Sequence, residues 1–568
     1  MQQEYDVVVL GGGLAGLTLS LQLKNAKPDL SILVLERRES EAATAAHKVG
    51  ESTVELGTHY LREVLDIKGY LEEHELPKHG LRFFFKSHTK EDIASRVELG
   101  PRLRLPVPSH QLDRGTVENY MMRLTKEKGN ELLLGAKVSN VDIDKDAGHK
   151  VSYIKAGEEV TVKCRWVADA SGRSSIMKRK LKFQKPMEHH TNAAWWRLKG
   201  VIDIDDWTNN KEWQSYLEPG LRYLSTVHFM DSGYWLWVIP LGSKNTSIGI
   251  VADPAIHPFE TFNTYEKAVE WMKQNEPLAY KMLEPLGYGE GLMDFKILKH
   301  YAHHTERVYS TDRWGTAGES GPFLDPLYSP GTDFIAMNNS WLSDLILRDM
   351  AGEDITGRVN IYEQSHLALV DSWIPVYQNK YLLMGNTQIM VIKIFWDWAC
   401  YWSVPAHLFA NKAFTNIKIL KDLFASKNSV GRKFGLLNKT MQDLFLEWLP
   451  FENRIFSNRY IDPFDLAVLR KFQGEIEVQR EQGEMIRQIE INLNILEQMA
   501  VAIFRLVSTE VNGTDPDIKV NPYTINLGKK ENAMKLDMGS ADAIAPDPSI
   551  TKDVDVMWFY PKKEMETA

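Results

Sequence analysis

The stretch "DVVVLGGGLAGLTLSLQL", residues 6 to 23, decides the fold. Four consecutive apolar residues, Val7 to Leu10, read as a strand buried on both faces, and they run directly into Gly11, Gly13 and Gly16 before an Ala/Leu-rich helix. Glycines at these positions permit a tight turn and let backbone N–H groups, together with that of Ala15, approach a pyrophosphate at the positive end of the helix. This is the βα half of a dinucleotide-binding unit. A second apolar strand in "LSILVLERRES" (30 to 40) ends on Glu36, twenty residues beyond Gly16, where a carboxylate can bind the adenosine ribose hydroxyls.

Composition narrows the class. A chain of 568 residues is too long for one ordinary core, so two to four structural units are expected. The balance of 43% hydrophobic and 25% charged residues is that of a soluble globular enzyme. A net charge of −9 without a Lys/Arg cluster excludes a nucleic-acid binder. Cys164 and Cys400 have no metal-ligand spacing, so neither a metal site nor a disulfide framework is expected, and the cytoplasm is the expected compartment. The N-terminus enters a strand at once, without signal-peptide character. The most apolar later stretch, "QIMVIKIFWDWACYW" (388 to 402), is interrupted by Lys393 and Asp397 and is too short for a membrane span; it reads as a buried or groove-lining helix.

Three downstream segments identify the dinucleotide. "PSHQLDRGTVENYMM" (108 to 122) puts Arg114 at the head of a helix, and "KCRWVADASGRSS" (163 to 175) ends a strand on Asp169. "RWGTAGESGPFLDPLYSPGTDFIAM" (313 to 337) gives a strand, Gly318-Glu319, and a Pro/Gly turn opening a helix. Together with the glycine turn, these resemble the FAD-dependent aromatic hydroxylase superfamily. The resemblance implies an α/β, FAD-binding Rossmann-like fold of the glutathione reductase type, with an interleaved β-sheet substrate domain. It also implies FAD contacts from Gly11, Gly13, Ala15, Gly16, Glu36, Ser52, Arg114, Val138, Asp169, Gly318, Glu319 and Gly331. The superfamily has Gly-Asp where this chain has Gly318-Glu319, a change that keeps the acceptor and lengthens its reach.

Within that superfamily, "HKVGEST" (47 to 53), "KHGLRFFF" (78 to 85), "YWLWVIP" (234 to 240) and "DPLYSPG" (325 to 331) resemble the hallmark segments of flavin-dependent halogenases, over roughly residues 1 to 380. In that family FADH2 and O2 give a flavin hydroperoxide. Attack by chloride or bromide gives hypohalous acid, and a tunnel lysine delivers the halogen to an electron-rich ring. The resemblance assigns that lysine to Lys78, with Lys48 and Lys86 as fallbacks, and the halide site to the amides of Gly331 and Thr332. Pro330, lacking an N–H, stands where several relatives have serine or threonine. Trp235, Trp237 and Ile239 share one strand face. With Pro240 they are expected to wall the flavin from the substrate. Halogenases of free tryptophan carry Glu-Ser before the turn, where this chain has Tyr328-Ser329, so phenols, pyrroles or similar rings are the expected substrates. Asp325, His189 and His190 are the titratable candidates for a replacement base. Trp195, Trp196 and Phe83 to Phe85 are candidates to line the substrate cavity or fill the core.

Beyond residue 340 helical spacing dominates, and 476 to 507 reads as one long amphipathic helix. The expected organisation is an FAD module (1–185 and 300–350), a β-sheet substrate module (80–110 and 186–299), a helical cap (351–510) and an extended polar tail (511–568). No second strand–GxGxxG–helix unit is present for NAD(P)H, so reduced flavin is expected from a separate NAD(P)H-dependent flavin reductase. The substrate is expected free or tethered to a carrier protein. The alternative reading is a monooxygenase or dehydrogenase of the same fold, and a non-catalytic flavoprotein stands behind it.

Overall fold

A computed structural model describes residues 3–43, 49–424, 429–513, 519–528 and 543–559. Its first sheet places Glu4–Leu10 between Glu158–Asp169 and Ile32–Glu36, all parallel, with Glu131–Leu134 and Trp314–Thr316 extending the two sides. Val7 and Val9 pack into the main core on one face, while Val8 and Leu10 pack with Leu33, Leu35 and Trp314 on the other. Burial on both faces is why the strand reads as an unbroken apolar run. Helix Leu14–Ala26 returns across this sheet. A Cβ on Gly16 would lie 2.0 Å from the Gly11 carbonyl oxygen, so only glycine lets the turn close against the helix.

The second sheet runs in the order Leu292–Leu298, Asn192–Lys199, Asn245–Ala252, Tyr234–Pro240, Thr226–Asp231, Leu81–Phe84, Val97–Leu99 and Arg459–Ile461. Strand alternation splits the WxWxIP segment as its period of two requires. Trp235, Trp237 and Ile239 join the core beneath the first sheet, whereas Tyr234, Leu236 and Val238 pack with Trp207, Trp213 and Trp271 on the other side. Phe84 and Trp196 also lie on that far side. The last strand of this sheet comes from the helical C-terminal region, pairing parallel with Val97–Leu99. Residues 351–510 are therefore sewn into the sheet by a strand that helical spacing did not signal.

That region differs in detail from the sequence reading. The helix expected over 476–507 is one helix that begins later and runs further, Gln482–Asn512, with a separate helix Ala467–Glu475 before it. Gln482–Asn512 is long and apolar enough to cross a bilayer by length and composition, but 56% of its most apolar window is buried inside the protein, as in a core helix. The expected extended tail includes helix Pro548–Val556, anchored by buried Val554 and Met557 and by Trp558 stacked on Trp448 with centroids 5.3 Å apart. Apolar residues at helical spacing, Val554 and Met557, hold it where overall polarity suggested none would. Helix Thr387–Tyr401 is buried along almost its whole length and continues into one π-helical turn, Trp402–Ala406.

Buried charge ties the second sheet together. Arg82 Nη1 and Arg222 Nε donate to Glu98 Oε1 at 2.5 and 2.9 Å, and Arg222 Nη1 reaches Asp205 at 2.7 Å. The Arg222 guanidinium also lies 3.6 Å from the centroid of Trp213. Removing the central carboxylate would leave two guanidinium groups without it in the core. Glu98→Gln is expected to cost about 3–5 kcal/mol, visible as a lowered urea midpoint in far-UV circular dichroism.

Candidate functional site

Two cavities meet at one turn. The first is a groove of about 1530 Å³ at the C-terminal ends of the first sheet, where ligands of open α/β sheets bind. Gly13, Ala15, Ser52, Arg114, Gly318, Glu319 and Gly331 line it, all expected flavin contacts. Gly11 holds φ +113°, and a Cβ there would stand 2.4 Å from the Ala170 carbonyl oxygen. Glu36 accepts from the Gly12 N–H at 2.8 Å and from the Arg38 N–H at 2.9 Å, which holds its carboxylate against the glycine turn, and it does not line the groove. Arg38 Nη1 and Arg114 Nε are buried without a hydrogen-bond acceptor. A glycine cradle open to backbone approach, beside buried cationic donors, fits an anionic dinucleotide.

Three expected contacts act differently. Asp169 is fully buried and accepts from Ser171 N, Ser171 Oγ and Met177 N, which fixes the loop that brings Ala170, Gly172 and Arg173 to the groove. Gly16 serves helix packing, as described above. Val138 lies in strand Lys137–Asp142 of an antiparallel hairpin, packed against the core on the far face of the first sheet, and does not line the groove. A residue that sequence reasoning passed over does line it: Glu51, in "GEST". Its Oε2 accepts from Ser247 Oγ, which in turn accepts from Trp237 Nε1 at 3.1 Å. Burial pushes this carboxyl up to about 7, with Arg197 opposing. The sequence signal was the polar pair Glu51-Ser52 after Gly50, which served only as a spacing marker.

The second cavity, about 850 Å³, contains Lys78. Strand Leu76–Lys78 pairs with Ser109–Gln111, so the lysine is fixed in a ladder rather than in a solvated loop. Its Nζ donates to the Thr53 carbonyl at 2.7 Å. Burial lowers its pKa to about 7, opposed by the nearby carboxylates of Glu55 and Asp333. Burial also raises Glu55 and carries Asp333 up to about 8, although Asp333 accepts from the Gly57 N–H and the Tyr401 hydroxyl, both at 2.8 Å. Lys78 and Asp333 thus titrate near neutrality in one buried corner, beside a Glu55 carboxyl that burial also raises. Of the fallback lysines, Lys86 is half-buried and ion-paired with Asp231 at 3.4 Å, and Lys48 lies outside the described residues.

Residues 326–334 divide the two cavities. Pro326, Ser329, Gly331, Thr332 and Phe334 line the flavin groove, while Tyr328, Pro330 and Asp333 line the Lys78 cavity. Tyr328 and Ser329 hold φ of +71° and +62°, left-handed conformations that turn neighbouring side chains to opposite sides. Pro330 caps helix Gly331–Met350, whose first N–H groups lack intrahelical acceptors. The expected tryptophan wall is corrected in place: Trp235, Trp237 and Ile239 face the flavin groove alone, because their strand lies beneath the first sheet, and this turn forms the partition. Pro240 takes the register of Leu236 and Val238, away from the groove.

The aromatic lining is also corrected. Trp195 lines the groove, Phe83 and Phe85 belong to the core, and the rings around the Lys78 cavity come from the C-terminal region: Trp373, Tyr377, Trp398, Tyr401, Trp402, Phe434 and Phe464. Asp325 is buried and accepts from His189, Tyr301 and Tyr381 at 2.7 to 2.9 Å. It and His189 form an internal network that lines neither cavity, and His190 is exposed.

Residues 4–248 match the FAD binding domain family. Over 444 residues the chain is 27% identical to the flavin-dependent halogenase chlA of Dictyostelium discoideum, covering 71% of each chain. It is 24% identical over 364 residues to a 1H-pyrrole-2-carbonyl peptidyl-carrier-protein brominase of Pseudoalteromonas luteoviolacea, covering 62% of this chain and 79% of that one. In fold it resembles the halogenase PltM, with a TM-score of 0.61 at 16% identity over 87% of this chain and 96% of that chain. A flavoprotein/dehydrogenase from Cytophaga hutchinsonii shares the fold at TM-score 0.54 and 16% identity, covering 77% and 92%. With a groove fitted to FAD and sequence likeness to halogenases along most of both chains, the chain is an FAD-binding enzyme similar to the flavin-dependent halogenases.

Proposed function

We propose that the two cavities divide the reaction between them: halide is oxidised in the flavin groove, and the ring is halogenated in the Lys78 cavity. The observation that carries this reading is the alternation along residues 326–334, which gives one turn a flavin-side face and a lysine-side face. FAD, when bound and reduced, supplies with dioxygen the two-electron oxidation of chloride or bromide. Gly331 and Thr332 offer the amides of a helix start on the groove side, the physical setting for a halide ion. Trp235, Trp237 and Ile239 fill the groove's far wall and keep an organic ring out of it. A hypohalous acid is small enough to pass the turn where the ring is not.

On the other side Lys78 receives it. The ammonium form donates a hydrogen bond to hypohalous oxygen, and the neutral form, made accessible by burial, can bind the halogen covalently. The apolar, ring-lined cavity suits an electron-rich aromatic such as a phenol or pyrrole, held free or on a carrier protein as in the brominase relative's name. Reduced flavin would come from a separate reductase.

Lys78→Met is expected to lower formation of halogenated product by about 100-fold or more in a reductase-coupled assay read by mass spectrometry, with FAD binding retained. Product that persists at the wild-type rate would remove the lysine from the mechanism. If the neutral amine is the working form, the rate rises with pH through about 7 as Nζ loses its proton. Lys78→Arg, which stays protonated, is expected to show no such rise. Omitting halide should abolish the product; an oxygenated ring in halide-free buffer would instead indicate a monooxygenase.

A further inference from the structure

The helix Thr387–Tyr401 carries two charged residues, Lys393 and Asp397, one turn apart and both buried. Their ion pair, 2.5 Å between Nζ and Oδ2, keeps the helix interior neutral. A purely structural pair needs nothing more, yet Asp397 lines the Lys78 cavity and Lys393 does not. Asp397 Oδ2 also accepts from the Tyr328 hydroxyl at 2.9 Å, and Oδ1 from Gln442 at 2.7 Å. Tyr328 belongs to the partition turn, so this carboxylate stands where the flavin-side partition meets the aromatic cavity. Glu55 and Asp333 flank Lys78, and Asp333 is already held by Gly57 and Tyr401. Asp397 is the carboxylate set apart from them, among Trp398, Tyr377 and Asn438.

We propose that Asp397 is a catalytic residue that accepts the hydroxyl or ring N–H of the aromatic substrate, selecting rings that carry such a donor and activating them for halogenation. The proposal rests on the halogenase reading and adds to it the group that recognises and activates the ring. A carboxylate already accepting from Lys393, Tyr328 and Gln442 retains lone-pair capacity for one further donor. Burial raises the Asp397 carboxyl while Lys393 opposes, which leaves it an acceptor of protons as well as of hydrogen bonds. For a phenol, the hydroxyl proton passes to Asp397 as the ring carbon forms its bond to halogen and the halogen–oxygen bond of hypohalous acid breaks. The released hydroxide takes the proton from the halogenated carbon to give water. Asp397 returns its proton to the ring oxygen as aromaticity is restored. Phenol and hypohalous acid have then become halophenol and water.

The test uses the full-length FAD-loaded protein with two probes, phloroglucinol and its trimethyl ether, the same ring without a hydroxyl. Binding is read from tryptophan fluorescence, since Trp373, Trp398 and Trp402 line the cavity, and turnover from mass spectrometry with a reductase and bromide. Wild type is expected to bind phloroglucinol about tenfold or more tighter than the ether, the size of a hydrogen bond to a charged group, against the ether's greater apolarity. The double variant Asp397→Asn, Lys393→Met, which leaves no lone buried charge, is expected to lose that preference and about tenfold or more in kcat for phloroglucinol. Equal affinities in wild type, or a preference and kcat unchanged in the double variant, would overturn the proposal. Equal wild-type affinities overturn the proposal even if the double variant fails to fold. A wild type that prefers phloroglucinol but halogenates neither probe would support the recognition site and overturn the halogenase reading instead.

Discussion

The left-handed backbone at Tyr328 and Ser329 is the constraint on which the site depends. A residue with a Cβ rarely takes this conformation, and two in succession cost on the order of 1–3 kcal/mol each. The surroundings hold them there: the Tyr328 hydroxyl donates to Asp397 on one side, and Pro330 opens helix Gly331–Met350 on the other. The result is a partition whose successive residues belong to different cavities. Side chains on one face meet the flavin groove, and those on the other meet the lysine cavity. From Tyr328 to Gly331 the residues alternate between the cavities with a period of two, and the helix that starts at Gly331 ends the alternation, leaving Gly331 and Thr332 together on the groove side.

Desolvation organises what lies behind the partition. Lys78, Glu55 and Asp333 would be unremarkable ions in water; buried together, the amine falls to about 7 and Asp333 rises to about 8. Opposite charge limits these shifts without cancelling them, so protons can be exchanged near neutrality without moving far. Lys393 and Asp397 repeat the arrangement with closer pairing. On the flavin side Glu51 follows the same rule, raised to about 7 by burial and tied through Ser247 to Trp237. The tryptophan strand therefore joins a polar chain as well as an apolar face.

How much of this was legible depends on sequence distance. The glycine turn, the strand ending at Glu36 and the ridge of Trp235, Trp237 and Ile239 are local patterns, and periodicity places them. Lys78 was legible through its resemblance to a short motif. Asp397 was not, because it meets Tyr328 across 69 residues and the spacing of its helix says only that the helix is buried. The rings of the lysine cavity were misplaced for the same reason: Phe83 to Phe85 lie close to Lys78 in sequence, but a strand sends alternate residues into two cores, and the C-terminal helices supply the lining instead. Strand Arg459–Ile461 is three residues long, too short for any period to show, and exists through pairing with Val97–Leu99. Val138 was carried over on resemblance alone and lies in a hairpin away from the groove.

The central claim is spatial: halide and flavin on one side of residues 326–334, the organic ring and Lys78 on the other. A crystal structure of the FAD complex soaked with bromide and phloroglucinol, with data at the bromine absorption edge, tests it most directly. The account predicts an anomalous peak at the Gly331 and Thr332 amides on the groove side and the aromatic ring in the Lys78 cavity. A phloroglucinol ring lying in the flavin groove against Trp235 and Trp237, with the Lys78 cavity empty of it, would contradict the division.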